Sequence, residues 1–470
     1  MSGLTTAHMV SIIATLSLVT AVGVYSGRRI KSAADFSLGG RRAGPMLVAA
    51  TIMGTLVGGA STIGTAQLAF RYGLSAWWFT LGGGIACLVL GLLLAKPLRE
   101  TENETMPELL GKAYGGYASV AASLFSSVGT FLNLVAQVLS AVALLTSMLA
   151  LPAWAAALAA AGLMVAYVAF GGVWGTGLVG LAKLALLYGI LLITGVLAYT
   201  GLGGWEGLRA TFPTYPWFSL LGRGAATDLA AGFSLLVGVL STQTYIQAMF
   251  SARSVGAARR GALRAAFLIP PAGIPGILIG LFMRKNFPDL EPAQAFPAFV
   301  LRFLPAPLAG VALATLLVAV VGTGAGLALG ISTMVTKDIY RRYFRGAAGA
   351  DRSLLVSRLV IVAVTGLSLV VVLSGNLKSL ILEWTYLSMG LRGATVCLPL
   401  LAALFWPGRI ARPAGRLAIV LGPLTAILWK VGGATADPLY PGLLASFLTL
   451  AFGAFRMNPG AAGEMRRHRT

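Results

Sequence analysis

Three features of this 470-residue chain place polar or charged groups among apolar residues. The first is the stretch GTLVGGASTIGT, Gly54 to Thr65, in which glycines and hydroxyl residues interrupt a long apolar run. The other two are single cations, Lys183 and Arg392, each inside a further apolar run. Glycines let a backbone leave the helix, and the freed carbonyl and hydroxyl oxygens become ligands for a cation or a polar solute. The competing interpretation of such small residues is close helix packing.

The elements that hold these residues are predicted to be membrane-spanning helices. Hydrophobic residues make up 57% of the chain and charged residues only 10%, whereas soluble domains carry about 25% charged residues. A span needs about 20 apolar residues, and such runs follow one another along this sequence. The predicted spans are 7–26, 44–70, 74–95, 116–149, 152–170, 176–201, 226–250, 260–283, 307–335, 354–374, 379–406, 416–432 and 442–456.

The net charge of +21 is explained by membrane topology. When basic residues near the ends of these spans are counted with the adjoining loop, one side carries 25 of the 35 Lys and Arg residues and the other side 8, and the 2 deep in spans are Lys183 and Arg392. Basic loops stay in the cytoplasm, so we predict an outer N-terminus, a cytoplasmic C-terminus and no nucleic-acid partner. The first segment has no basic start and is followed by RRIK, so we interpret it as a retained helix. We predict one transmembrane domain, residues 1–470.

A glycine-broken helix near the start of thirteen spans indicates a transporter built from two inverted halves. Such proteins bind their substrate where a helix is discontinuous at mid-membrane. The second half then needs a matching break. The seventh span offers one, because Gly238 is followed by the polar run from Ser241 to Tyr245.

Several segments, in this order, resemble the sodium/solute symporter family, which includes proline, sugar and sialic acid symporters. They lie between Asp35 and Pro407 and read DFSLGGRRAGP, GGASTIGTAQLAFRYGLSAWWF, YVAFGGVWG, STMVTKDIYRRYF and LPLLAALFWPG. The third segment, YVAFGGVWG, has Val173 where Leu, Met or Phe is usual. The resemblance implies an all-α LeuT-type fold with a 5+5 inverted repeat, and secondary active transport by alternating access.

The resemblance also implies a division of the chain, and the composition indicates a location. The ten-helix core corresponds to residues 44–408. An extra helix and loop precede it at 1–43, and two peripheral helices and a basic tail follow at 409–470. A composition rich in Ala, Gly and Arg is typical of GC-rich bacteria, so the expected location is the bacterial inner membrane.

The family's sodium site implies a set of cation-site residues in this chain. Two carbonyls of the first core helix correspond to Gly54 and Val57. The eighth core helix supplies a carbonyl and two hydroxyls, at positions that correspond to Ala319, Gly322 and Thr323. The spacing puts these three on one helix face. Because Gly322 has no hydroxyl, the predicted sodium site is weakened.

A lysine stands close to this weakened site. Gly180 and Lys183 occupy positions where the family has Asp and Gln, and Leu56 replaces an Asp of the proline symporters. An intramembrane lysine costs about 2.5–3.5 kcal/mol and is a functional candidate by default. We hypothesise that Lys183 substitutes for sodium, as a lysine does in some proton-coupled amino-acid permeases of this fold, and makes transport proton-coupled or uncoupled. The alternative is that Lys183 snorkels to the cytoplasmic edge.

The resemblance places the solute between the two breaks. The corresponding residues are Gly58, Gly59, Ser61, Thr62, Thr242, Gln243 and Tyr245. This small, uncharged set fits a small polar solute, although Gln247-Ala248 departs from the family's Gln-Arg pair. Arg392 lies about 21 Å from the outer end of its predicted span. It favours an organic anion or zwitterion, and its alternatives are an inner gate or a structural anchor for a broken helix.

A membrane enzyme, a sensor and a channel are the competing functional classes. An enzyme needs paired carboxylates, a Ser/His/Asp set or metal ligands in the membrane, whereas His8 and His468 lie near the termini and no Asp or Glu lies deep in a span. The sequence contains no Walker motif, so ATP-driven transport is not expected. A broken helix disfavours a channel. A solute sensor that signals through a partner stays an alternative, although only fourteen residues follow Arg456.

We therefore predict a transporter and no enzyme. Na+ or H+ is the expected coupling ion, with no other cofactor. The expected partners are a small-molecule solute and the lipid bilayer, and the sequence leaves the solute, the ion and the oligomeric state open.

Overall fold

The computed structural model describes residues 4–27, 41–343, 350–375 and 377–455. The start of the motif at Asp35 and the basic tail from Arg456 lie outside the described residues. Side chains 23–27, 169–179, 350–351 and 455 also lie outside the described part, so the motif with Val173 is described only as backbone from residue 169 onward.

The described residues are almost entirely helical. The first ten α-helices are α1 (Thr6–Gly27), α2 (Pro45–Leu56), α3 (Thr65–Tyr72), α4 (Trp78–Val89), α5 (Ala95–Glu100), α6 (Met106–Tyr114), α7 (Gly116–Leu149), α8 (Ala153–Gly201), α9 (Gly204–Thr211) and α10 (Thr214–Trp217). The others are α11 (Ala225–Leu240), α12 (Gln243–Ser251), α13 (Val255–Leu268), α14 (Gly273–Asn286), α15 (Ala295–Phe303), α16 (Ala306–Met334), α17 (Arg341–Tyr343), α18 (Ala350–Ser374), α19 (Ile381–Phe405), α20 (Arg412–Val431) and α21 (Leu439–Phe455).

Short helical turns of other types join some of these helices. The π-helical turns are Ala60–Gly64, Leu90–Leu94 and Val335–Tyr340. The 3-10 turns are Gly73–Trp77, Pro270–Ala272 and Pro292–Gln294.

Within the described ranges, eight helical segments are long and apolar enough to cross a membrane, or nine if α11 and α12 form one bent span. The shorter apolar helices are Thr6–Val22, Pro45–Leu56, Ala153–Val168 and Leu439–Ala454. Each predicted span overlaps one of these segments, and the number and direction of crossings stay predictions. One boundary differs from expectation, because α8 continues through the loop predicted between 170 and 176. That loop contains no proline to end a helix.

The first predicted break is present at the glycine-rich stretch. Helix α2 ends at Leu56, Val57 takes an extended conformation (φ −89°, ψ 91°), and the chain becomes helical again at Ala60. Side chains at the two glycines of the gap would collide with neighbouring helices. A Cβ on Gly58 would lie 2.2 Å from Thr323 Oγ1, and a Cβ on Gly59 would lie 2.5 Å from Ser140 Cβ. Close approach therefore explains why this gap is built from glycine.

The second predicted break separates α11 from α12. Helix α11 ends at Leu240, the next two residues are not helical, and α12 begins at Gln243. The two helices are bent by 42°. Helix α7 packs on α16 and α19, α11 packs on α19, and α8 packs on α2. These helices therefore enclose both breaks.

Candidate functional site

The side chain of Lys183 reaches the first break. Its side chain is 2% exposed, and its ammonium group donates hydrogen bonds to the carbonyl oxygen of Gly54 and, at 3.4 Å, to Thr323 Oγ1. The Thr323 hydroxyl also donates to the Gly54 carbonyl, at 3.3 Å. The side chain thus points into the protein, toward the first break. Three of the predicted cation-site residues meet at one backbone oxygen.

Two other backbone groups at this break also have partners. The Gly58 carbonyl accepts hydrogen bonds from Ser61 Oγ and Thr62 Oγ1, both at 2.9 Å. The Gly59 N–H donates to Gln137 Oε1 at 3.0 Å. Buried peptide groups without partners are costly, so these contacts stabilise the gap. The two predicted hydroxyl residues therefore bond within the break itself.

Gln137 is a site residue that the sequence reasoning missed. It lies on α7, where buried polar side chains follow one another at intervals of three or four residues. They are Ser126, Thr130, Asn133, Gln137 and Ser140. This spacing puts them on one face of the helix. A polar stripe inside an apolar run was the signal that could have identified it.

The remaining cation-site positions are buried around the same place. Val57 and Ala319 are both 0% exposed. A Cβ on Gly322 would meet Tyr167 Oη at 3.5 Å and Lys183 Cδ at 4.0 Å, which are ordinary contact distances. A small side chain at Gly322 therefore fits without displacing its neighbours.

Arg392 lies at the second break and is 0% exposed. It donates to Thr242 Oγ1 at 2.7 Å, to the Ser388 carbonyl at 3.2 Å and to Ser388 Oγ at 2.9 Å, and its Nη2 lies 3.2 Å from Met389 Sδ. Because α19 begins at Ile381, Arg392 is about 16 Å along the helix and near its middle, closer to the start of the helix than the sequence indicated. The contact with Thr242 joins α19 to the second break.

Helix α6 connects the second break to the end of α16. The Met106 N–H donates to Gln243 Oε1 at 2.8 Å. The carboxylate of Asp338 accepts hydrogen bonds from Thr105 Oγ1 at 3.1 Å and from Ser123 Oγ at 3.2 Å. We call these five residues the α6 junction. Tyr245, the last predicted solute residue, is 1% exposed.

Comparisons with known proteins agree on the class of this chain. The model of the "Sodium:solute symporter family" matches residues 36–414. The uncharacterised symporter YwcA of Bacillus subtilis is 25% identical over 91% of this chain and 89% of that protein. The high-affinity proline transporter PutP of the same organism is 23% identical, over 92% and 94%. The human high affinity choline transporter 1 is 24% identical over 75% of this chain and 65% of that protein.

Solved structures share the fold at low sequence identity. A substrate-bound, outward-open Na+-coupled sialic acid symporter superposes with a TM-score of 0.79 at 17% identity, covering 96% of this chain and 97% of that one. MhsT in complex with L-phenylalanine gives a TM-score of 0.56 at 15% identity, over 88% and 99%. The fold is thus LeuT-like, and the relatives are transporters and not enzymes. With a family match over most of its length, this chain belongs to the sodium:solute symporter family and is a membrane solute transporter.

Proposed function

We propose that the chain is a secondary active transporter in which the Lys183 ammonium stands in the place of a coupling sodium ion. The observation that carries this proposal is the bond from Lys183 to the Gly54 carbonyl, shared with Thr323. The end of α2 presents carbonyl oxygens with partial negative charge, and a cation next to them is stabilised. An ammonium and a sodium ion compete for the same oxygens.

The solute, on this proposal, is a small polar organic molecule bound between the two breaks. Relatives that are named for proline and choline support this size class. The small residues of the first break and the hydroxyls of both breaks fit such a solute. Its movement is driven by protons or is uncoupled from ions, because the ammonium occupies the cation position and the second family hydroxyl is absent at Gly322. The protein crosses the bacterial inner membrane thirteen times, with its C-terminus in the cytoplasm.

Binding of radioactive sodium to the purified protein, at several pH values, tests the proposal without knowledge of the solute. We expect no saturable binding to the wild type and saturable binding to Lys183→Gln, in which the ammonium is gone. Lys285→Gln is the matched control, because Lys285 is exposed at the end of α14. Saturable binding to the wild type that is lost on Thr323→Ala would show that sodium uses the site, and the lysine proposal would be wrong.

A further inference from the structure

Arg392 is a buried cation whose described partners are all neutral. Its acceptors are the Thr242 hydroxyl, the Ser388 carbonyl and hydroxyl, and the Met389 sulfur. Among the described residues, no Asp or Glu forms an ion pair with it. Burying a charge without a counter-charge is costly. A negative group brought to this place would therefore gain a strong interaction.

A second, independent observation at the same break is an unsatisfied amide. Gln243 is the first residue of α12 and is 2% exposed. Its Oε1 accepts the Met106 N–H, but its Nε2 has no partner among the described residues. The side-chain amide thus offers two buried N–H donors directly after Thr242, the residue that Arg392 contacts.

The start of α12 adds backbone donors. The first N–H groups of a helix have no partner inside the helix and carry partial positive charge. Thr242 stands at the N-cap position, but its hydroxyl donates to the Gly238 carbonyl at 2.6 Å and does not cap the helix. Guanidinium, amide and helix terminus are all donors, and together they are complementary to an anion.

We infer that the second break is a binding site for a small monoanion, and that the anion is the carboxylate group of the transported solute. This inference rests on the proposed function, because it names the chemical class of the solute. A guanidinium binds a carboxylate through parallel N–H bonds, and at Arg392 such bonds would replace contacts with Ser388 and Met389. The same donors repel a solute whose only charge is a quaternary ammonium. The solute is accordingly a carboxylate or a zwitterion, closer in charge to proline than to choline.

Chloride has the same charge as a carboxylate, so the experiment compares the two ions. The midpoint of thermal unfolding of the purified protein is measured with increasing potassium acetate or potassium chloride at constant ionic strength. We expect acetate to raise the midpoint of the wild type progressively and to have a much smaller effect on Arg392→Gln. Arg264→Gln controls for loss of an arginine, because Arg264 is exposed on α13. It is expected to respond as the wild type does.

Two further variants keep the inference testable if Arg392→Gln does not fold. Arg392→Lys keeps the charge but loses the planar fork, so a weaker acetate response is expected. Gln243→Leu removes the amide donors, so its dose-response curve is expected to shift to higher acetate.

Each outcome decides between the possibilities. An Arg392-dependent response to acetate supports the carboxylate, whereas a response to chloride alone keeps the anion site and overturns its assignment to the solute. Equal responses of wild type and Arg392→Gln to both salts would mean that Arg392 is not part of an anion site, and the inference would be wrong. Because this experiment contains no sodium, its failure leaves the Lys183 proposal standing, and failure of the sodium experiment leaves this one unaffected.

Discussion

The ammonium group of Lys183 lies 3.4 Å from the hydroxyl of Thr323, and both groups bind the same carbonyl oxygen of Gly54. One backbone oxygen at the end of α2 thus connects α8 with α16. A coupling ion in a transporter of this fold has the same task, because it holds the broken helix against the helices beside it. On the proposed function, the covalently attached ammonium of Lys183 would perform that task without leaving the protein.

The missing hydroxyl at Gly322 can be restored. A serine Cβ there would meet only ordinary contacts, so Gly322→Ser is expected to fold normally. We expect the double variant Lys183→Gln with Gly322→Ser to bind sodium about tenfold more tightly than Lys183→Gln alone, a gain of about 1.4 kcal/mol, because the affinity of a hard cation rises with the number of its oxygen ligands. Sodium titration of both proteins measures this difference in affinity.

The matched control for the added hydroxyl is Lys183→Gln with Gly322→Ala, which adds the Cβ alone. This control is expected to bind sodium no better than Lys183→Gln. Equal affinities in the Ser and Ala proteins would mean that position 322 does not contribute a ligand.

The glycine gap of the first break is expected to tolerate no side chain. In Gly59→Ala, the new methyl group would lie 2.5 Å from Ser140 Cβ and 3.0 Å from Gln137 Oε1, the atom that binds the Gly59 N–H. Overpacking of this kind costs about 1–3 kcal/mol. We expect a lower thermal midpoint, measured in detergent. Gly189→Ala is the control, because a Cβ there meets nothing within 4 Å.

Ser140→Gly tests whether the collision is local. It removes both Ser140 atoms that the new methyl group would meet. In combination with Gly59→Ala, it is expected to recover part of the lost midpoint. No recovery would place the cause of the loss in the backbone or in the contact with Gln137, and not in the contact with Ser140.

Both helix breaks could be predicted from the sequence because their signals are local. Glycines and hydroxyl residues inside an apolar run are read from a few adjacent residues, and Val57 to Gly59 and Ser241 to Thr242 are where the helices stop. The two cations inside apolar runs, Lys183 and Arg392, could be identified for the same reason. The direction in which each side chain points could not be predicted, because it depends on which helix lies opposite.

The partners across helices could not be predicted from one sequence. Gln137 is 78 residues from Gly59, and Asp338 is 233 residues from Thr105. Such pairs are set by how helices distant in the chain pack together. The neutral surroundings of Arg392 belong to the same class, since its contact with Thr242 spans 150 residues.

The α6 junction is expected to close the protein on the side where α6 lies. Asp338→Ala removes the acceptor for the Thr105 and Ser123 hydroxyls, and a hydrogen bond to a charged group contributes about 1.5–3 kcal/mol. We expect a cysteine at Ser126, which is 1% exposed, to react several-fold faster with a hydrophilic thiol reagent in Asp338→Ala. The background protein has Ala at both native cysteines.

Glu104→Gln is the control for the junction. It removes the ion pair between Glu104 and Lys337, which are the residues directly before Thr105 and Asp338, but the Glu104 side chain is 41% exposed. Exposed pairs contribute about 0–1 kcal/mol, so little change in labelling is expected. Equal labelling rates in Asp338→Ala and its parent would contradict a closing role for Asp338.

A buried ion pair fixes the start of α11. Arg223 Nη2 lies 2.7 Å from Asp228 Oδ1, and the two side chains are 6% and 0% exposed. The Arg223 N–H also donates to Asp228 Oδ2 at 2.9 Å, and the guanidinium carbon lies 5.5 Å from the ring centroid of Tyr386 on α19. The pair therefore holds the loop before α11 against the helix that carries Arg392.

Removing only the anion of this pair is expected to destabilise the protein strongly. Asp228→Asn leaves the Arg223 charge buried without a partner, which costs about 3–5 kcal/mol. The double variant Arg223→Gln with Asp228→Asn removes that charge and is expected to unfold at a higher temperature than Asp228→Asn. Lys112→Gln is the control, because its pair with Glu108 is largely exposed and such helix pairs contribute about 0.2–0.5 kcal/mol. A double variant no more stable than Asp228→Asn would mean that the carboxylate acts through the loop backbone, and that the charge of Arg223 is tolerated without it.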